Sequence, residues 1–122
     1  LEPIHRSKTG ALLSTSVWIG AWLAGAEPKD LDALLRFGQK IGLAFQIVDD
    51  VLDVTESLET LGKTAGKDKE RRKATYPSLL GVEDSRRIAR ELTQQAREAV
   101  IPLGRRAELL AGISEFLETR GH

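Results

Sequence analysis

Apolar residues recur along the chain with helical spacing, and no segment alternates at every second residue as a strand would. Small and apolar side chains over residues 8–24 predict a closely packing helix, which Gly25 and Pro28 should end. A second periodic run over residues 29–54 predicts a longer helix. The first half of the chain is therefore expected to be two packed helices.

The second half begins with a polar stretch. Residues 54–75 are rich in charge and contain two glycines, so we expect a long loop or lid, followed by a short apolar turn over residues 76–81. An amphipathic helix is predicted from about Asp84, with Pro102 and Gly104 closing it. Its apolar side carries Ile88, Leu92, Ala96 and Val100.

A last helix is predicted over residues 106–119. Its apolar stripe consists of Leu109, Leu110, Ile113, Phe116 and Leu117. With no strand pattern and no internal repeat, the sequence predicts an all-α fold arranged as a helical bundle.

The composition limits the classes of function. The chain has 122 residues with 18 basic and 18 acidic side chains, so no overall field attracts it to nucleic acid or an anionic membrane. It has no cysteine, which excludes disulfides, thiolate zinc sites and cysteine nucleophiles. No apolar stretch reaches the roughly 18 to 20 residues that span a bilayer. We therefore expect no membrane span, and any anion binding must be local.

The second helix carries a narrow polar stripe. On a helical wheel that advances about 100° per residue, the stripe occupies an arc of roughly 100°. Its members are Gln39, Gly42, Gln46, Asp49, Asp50 and Asp53. Apolar residues cover nearly all of the remaining circumference, so this helix is expected to be mostly buried.

The carboxylates of this stripe need a partner, because nothing in the helix neutralises them and carboxylates at i and i+4 repel each other. In a partly buried cleft they would take up protons or require a cation. Oxygen ligands favour Mg²⁺, which commonly binds through one or two carboxylates plus substrate phosphates. We predict a Mg²⁺ site at Asp49, Asp50 and Asp53. The alternative is a solvent-exposed acidic helix end.

Basic residues could hold an anionic substrate near this site. Lys8 and Thr9 lie at the predicted start of the first helix, where a bound anion would offset the unfavourable position of the lysine. Helix amides, the Thr9 hydroxyl and the Lys8 ammonium could then hold one phosphate. The glycines of loop 54–75, which leans positive, would let it fold over a ligand beside Asp53. The alternatives are a capping threonine, solvated lysines and a plain solvated loop.

Four ordered motifs resemble the trans-isoprenyl (polyprenyl) diphosphate synthases, most of all those that make geranylgeranyl and farnesyl diphosphates. The motifs are 5–13 (HRSKTGALL), 42–53 (GLAFQIVDDVLD), 61–68 (LGKTAGKD) and 73–77 (KATYP). The resemblance implies the isoprenoid-synthase helical bundle. It also implies a prenyltransferase, in which an allylic diphosphate ionises with the help of Mg²⁺, isopentenyl diphosphate attacks the carbocation, and a proton is lost.

The resemblance also implies roles for particular residues. Asp49 would ligate the metal directly, while Asp50 and Asp53 would act through metal-bound water or as outer acceptors. The allylic diphosphate would be bound by Lys8, Lys63 and Lys73, together with Thr9 and Gln46. Thr9 and Gln46 would also direct their oxygens toward the developing cation, so that the catalytic set is Lys8, Thr9 and Gln46.

Parts of the family pattern have no counterpart in this sequence: the first aspartate-rich motif, the arginine pair after it and the basic isopentenyl diphosphate site. The resemblance implies that they lie before Leu1, and that residues 1–122 are the C-terminal part of one synthase domain and inactive alone. The family is homodimeric, so we expect a homodimer or association with the N-terminal half. The expected location is the cytoplasm, or a plastid in a eukaryote.

Three other interpretations stay open. One is a non-catalytic Mg²⁺-diphosphate-binding or regulatory subunit, and another is a structural helical fragment whose motif is a relic. The third is a fragment of a class I terpene synthase or a head-to-head synthase, against which Lys8–Thr9 and Gly62–Lys63 argue. Within the family, the loop over residues 62–68 favours geranylgeranyl over farnesyl diphosphate as the product.

Overall fold

The computed structural model describes residues 2–61 and 74–120, with side chains for residues 8–60 and 74–120. Within these ranges the chain forms helices and no strand, which confirms the predicted all-α fold. The α-helices are α1 (Glu2–Leu23), α2 (Pro28–Leu61), α3 (Tyr76–Leu80), α4 (Val82–Val100) and α5 (Glu108–Arg120). A 3-10 segment, Ile101–Ala107, joins α4 to α5.

The turn between α1 and α2 follows the sequence prediction. Gly25 has a φ of 78°, in the left-handed region that favours glycine. The Ala26 N–H donates to the Ala21 carbonyl at 3.0 Å, and the Gly25 N–H donates to the Trp22 carbonyl at 3.0 Å. These two bonds form a Schellman motif, which satisfies carbonyls at the end of α1. Pro28 then begins α2, at a position where no N–H is required.

Three predicted boundaries were wrong. α1 begins at Glu2 instead of near Lys8, so the amides of Lys8 and Thr9 lie beyond the first turn and are used in helical hydrogen bonds. α2 continues to Leu61 because its last turns, although polar, contain no glycine or proline. The expected turn at residues 76–81 is the short helix α3.

α3 is a helix because its N-terminus is capped. The Thr75 hydroxyl accepts from the Ser78 N–H at 3.2 Å, and the Ser78 hydroxyl accepts from the Thr75 N–H at 2.8 Å. This reciprocal pair is a capping box. Pro77 lies in the first turn, where a proline is tolerated, and is buried.

α1 and α2 run antiparallel and approach closely through small residues. A Cβ added to Gly38 would lie 2.5 Å from the Ser14 Cα, and one added to Gly42 would lie 2.8 Å from the Gly10 Cα. Both distances are too short for real side-chain contacts, so the two backbones touch at these points. The Ser14 hydroxyl donates to the Gly10 carbonyl at 2.8 Å, which keeps this polar group satisfied within α1.

The opposite side of α2 forms the core with α4. The core cluster is apolar and centres on Phe37, Ile41, Ala44, Ile47, Val48, Leu92, Ala96 and Val100, with Leu103 and Leu117 from the following segments. α2 therefore has one face that packs against the backbone of α1 and another that contributes to the core.

None of the helices within the described ranges is long and apolar enough to cross a bilayer.

α5 contacts the bundle through only part of the predicted stripe. Leu117 is buried and Leu110 packs against the core, whereas Leu109 and Phe116 are 79% and 69% exposed. Glu118 holds α5 to α4: its carboxylate accepts from Arg97 at 3.0 Å and from the Thr93 hydroxyl at 3.3 Å. The inward side of α5 therefore combines apolar contacts with a polar contact to α4.

The close approach of α1 and α2 predicts that Gly38→Ala lowers the free energy of unfolding by about 1 to 3 kcal/mol, because the new methyl group meets the Ser14 backbone. Gly20→Ala is the matched control, since its Cβ would meet nothing within 4 Å. There the gain in helix propensity should raise stability by about 0.5 to 1 kcal/mol. Urea denaturation measures both, and a neutral or stabilising Gly38→Ala would contradict the packing.

Candidate active site

The acidic stripe of α2 lies at the edge of the core. Asp49 and Asp50 are half-buried and Asp53 is exposed, while Gln46 on the same stripe is half-buried. The other side of this stretch is fully buried at Ala44, Ile47 and Val51, each 0% exposed. The prediction of a mostly buried helix with one polar stripe is therefore confirmed.

The α1–α2 contact places the predicted basic and polar residues along the same stretch of α2. Gly10 faces Gly42, and Gln46 lies four residues further along α2, or about 6 Å at 1.5 Å per residue. Because α1 is antiparallel, Lys8 and Thr9 lie within about one helical turn of the level of Gln46. Lys8 is exposed and Thr9 is half-buried.

Two predicted diphosphate ligands, Lys63 and Lys73, lie outside the described residues, as does most of the predicted loop.

The helix pair brings Lys8, Thr9 and Gln46 to the same end as the aspartates. A crevice of about 940 Å³ lies at the opposite end, beside the Gly25 turn. None of the predicted site residues lines that crevice.

Asp49 has a partner that the sequence did not reveal. The Arg120 Nη2 atom lies 3.3 Å from the Asp49 Oδ1 atom. The same guanidinium lies over the ring of Phe45, with 5.4 Å between its central carbon and the ring centroid. This cation comes from α5, outside the helix that carries the stripe. A wheel of one helix cannot show such a contact.

Electrostatics set Asp49 apart from an ordinary surface carboxyl. Burial raises the pKa of Asp49 above its usual value, the Arg120 guanidinium opposes that rise, and the Asp53 carboxylate adds to it. The rise means that desolvation outweighs the arginine, because an exposed guanidinium is screened by water. The ionised form of Asp49 is therefore less favourable than that of an exposed carboxyl, and a further cation would stabilise it.

The donor set can be compared with the needs of a metal ion. Among the described side chains, no three carboxylate or imidazole residues gather as a group that could hold one. Asp49 and Asp53 are neighbours one turn apart on α2, and the Asp53 carboxylate helps to raise the pKa of Asp49. One or two carboxylate oxygens suit Mg²⁺, which keeps its waters and takes further ligands from substrate phosphates. The aspartates of the stripe could therefore supply some of the ligands of a Mg²⁺ ion, with the others coming from water and substrate.

The raised pKa of Asp49 predicts a pH-dependent effect of Asp49→Asn. A carboxyl with a higher pKa in the folded state loses its contribution to stability as the pH rises from its usual pKa through the folded one. Asp49→Asn removes that loss, so it should raise Tm near pH 7 and change it little near pH 3.5. Thermal denaturation followed by circular dichroism measures this. Asp32→Asn, on the exposed side of α2, is the control; a lower Tm for Asp49→Asn near pH 7 would contradict the prediction.

Several known proteins are similar to this chain in sequence. The family model described as polyprenyl synthetase matches residues 1–103. The geranylgeranyl diphosphate synthase of Cyanophora paradoxa is 49% identical over 122 residues, which cover 100% of this chain and 41% of that protein. A dimethylallyltranstransferase of Fischerella ambigua (strain UTEX 1903) is 48% identical over 122 residues, covering 100% of this chain and 35% of that protein.

A third relative, the chloroplastic geranylgeranyl pyrophosphate synthase 12 of Arabidopsis thaliana, is 50% identical over 101 residues, which cover 83% of this chain and 28% of that protein. The chain thus spans well under half the length of these relatives. The family model nevertheless covers most of the chain, including α1, α2 and the acidic stripe. The chain belongs to the polyprenyl synthetase family.

Proposed function

We propose that this chain forms one wall of the active site of a prenyltransferase, which condenses isopentenyl diphosphate with an allylic diphosphate to make geranylgeranyl or farnesyl diphosphate. The observation that carries the proposal is the stripe of Gln46, Asp49 and Asp53 beside the start of α1. It occurs in a chain about half identical to proteins named for geranylgeranyl diphosphate synthesis. The substrates and the reaction belong to the whole synthase.

In this proposal the stripe binds Mg²⁺, which when bound would neutralise the leaving diphosphate. Asp49 is the direct ligand in the proposal, because it is a half-buried carboxylate whose ionised form a bound cation would stabilise. Asp50 and Asp53 hold metal-bound water or orient the first ligand. The geometry of α2 supports this role, because burial of the opposite face prevents the helix from rotating and keeps the stripe on one side.

The remaining residues act on the substrate. Lys8 binds the allylic diphosphate as a point charge, and its exposed position leaves the ammonium free to reach an anion. Thr9 and Gln46 aim oxygen dipoles at the developing carbocation, where fixed dipoles need no reorganisation during the reaction. Lys63 and Lys73 complete the diphosphate site in the proposal, on the strength of the sequence motifs alone.

We propose geranylgeranyl diphosphate as the product. The name of the relative from Capsicum annuum, 46% identical over 121 residues, supports it. A relative from Leucosceptrum canum, 48% identical over 101 residues, is named geranylfarnesyl diphosphate synthase. A similar degree of identity therefore occurs with a relative named for a longer product.

We propose that the chain works as part of a homodimer or against the N-terminal half of the synthase domain. Large apolar side chains of α1 are exposed to water, with Leu12 at 69%, Trp22 at 57% and Leu23 at 73%. Such a patch is typical of a surface that another element covers. The proposed location is the cytoplasm, or a plastid in a eukaryote, as the chloroplastic names of plant relatives support.

Calorimetry with Mg²⁺ and inorganic diphosphate tests the half-site. Binding should produce heat only when Mg²⁺ is present. Asp49→Ala should weaken binding by at least about 10- to 100-fold, the usual cost of losing an outer-shell partner, since it removes the direct ligand itself. Asp84→Ala, an exposed aspartate in the first turn of α4, is the control and should bind normally. Equal heats from Asp49→Ala and the unaltered chain would sink the metal role and favour a structural relic.

The activity of the isolated chain gives a second test. Incubated with allylic and isopentenyl diphosphates and Mg²⁺, the 122-residue chain should form no prenyl product, because it carries only one of the two aspartate-rich walls that the family uses. Addition of an N-terminal half from one of the relatives should restore condensation. Product from the isolated chain would contradict the half-site.

A further inference from the structure

The contact between Arg120 and Asp49 links the last turn of α5 to the acidic stripe. The Nη2 atom of Arg120 lies 3.3 Å from the Asp49 Oδ1 atom, in an ion pair at the edge of the bundle. The guanidinium also covers the face of Phe45. The Arg120 guanidinium thus contacts the same carboxylate that ligates the metal in the proposed function.

A guanidinium and a divalent metal cannot both occupy the same face of one carboxylate oxygen. Both need its lone pairs, and two cations within a few ångströms of each other repel. The arginine neutralises Asp49 incompletely, because 41% of its side chain and 37% of the aspartate side chain are exposed to water. A pair this exposed is weak and can be exchanged for a stronger partner.

The rest of α5 is anchored independently of this contact. Glu118 pairs with Arg97 at 3.0 Å, and Leu117 is buried in the core. Arg120 lies beyond both anchors, on the exposed last turn. Its side chain can therefore leave Asp49 without displacing the helix.

We propose that Arg120 is a positioning residue that holds the Asp49 carboxylate while the stripe is free of metal, and that Mg²⁺-diphosphate displaces it. The end of α5 is thereby coupled to occupancy of the stripe. This proposal rests on the proposed function, because it requires Asp49 to be a metal ligand. It assigns a role in that site to a residue outside the acidic motif.

The first test is Arg120→Gln, measured by calorimetry with Mg²⁺ and inorganic diphosphate. Removal of the competing cation should tighten binding by about two- to fivefold, the size expected for a half-exposed ion pair. Arg120→Lys keeps the charge and should bind close to the unaltered chain. Arg106→Gln is the matched control, because it removes an arginine that lies 3.8 Å from Asp30, near the opposite end of the bundle, and should leave binding unchanged.

The second test separates a positioning role from ordinary stabilisation. In chelator, Arg120→Gln should lower Tm relative to the unaltered chain, and in saturating Mg²⁺-diphosphate the difference should disappear, because the arginine has then left Asp49 in both proteins. A purely structural arginine would cost the same Tm in both conditions. That result would overturn the proposal.

The outcomes of the binding test distinguish the two proposals. Unchanged or weaker binding by Arg120→Gln, with normal binding by the unaltered chain, overturns the role of Arg120 and leaves the half-site standing. No Mg²⁺-dependent binding by either protein overturns both. Tighter binding by Arg120→Gln, with Arg106→Gln unchanged, supports the exchange.

Discussion

The backbone contact between α1 and α2 is the constraint on which the rest of the structure depends. Gly38 and Gly42 let α2 meet Ser14 and Gly10 without intervening side chains, which fixes both the spacing and the register of the two helices. That register carries Lys8 and Thr9 to the level of Gln46 and the aspartates. A wider spacing would separate Lys8 and Thr9 from the stripe, so the packing of the small residues also determines where these two residues lie relative to the aspartates.

α2 combines two tasks that usually fall to different elements. One side of the helix is apolar and packs on α4, which holds its axis and rotation fixed. The other carries Gln46 and the aspartates at one end and glycines in the middle. A helix fixed in this way can keep carboxylates near one another despite their repulsion, because the cost is met by burial of the opposite side.

Much of this arrangement was readable from local sequence. The wheel of α2 predicted the buried side and the acidic stripe, because both depend only on the period of one helix, and Gly25 with Pro28 marked the turn by their backbone chemistry. The extent of α2 was missed, since polar residues such as Thr55 and Thr60 do not stop a helix when their hydroxyls donate to the carbonyls four residues earlier. The orientation of α5 depends on Glu118 meeting Arg97 and Thr93, and the partner of Asp49 comes from α5. Such contacts between distant segments leave no periodic signal.

The stacked pair of Trp18 and Trp22 has a practical consequence. These are the only two tryptophans in the chain, and their rings lie 6.3 Å apart at an interplanar angle of 7° on α1. The intrinsic tryptophan fluorescence of the protein, and any exciton signal in its ultraviolet circular dichroism, therefore originate from one surface of one helix. Events at the aspartates should leave the tryptophan emission unchanged unless α1 moves, and a change in that emission reports what covers the outer face of α1.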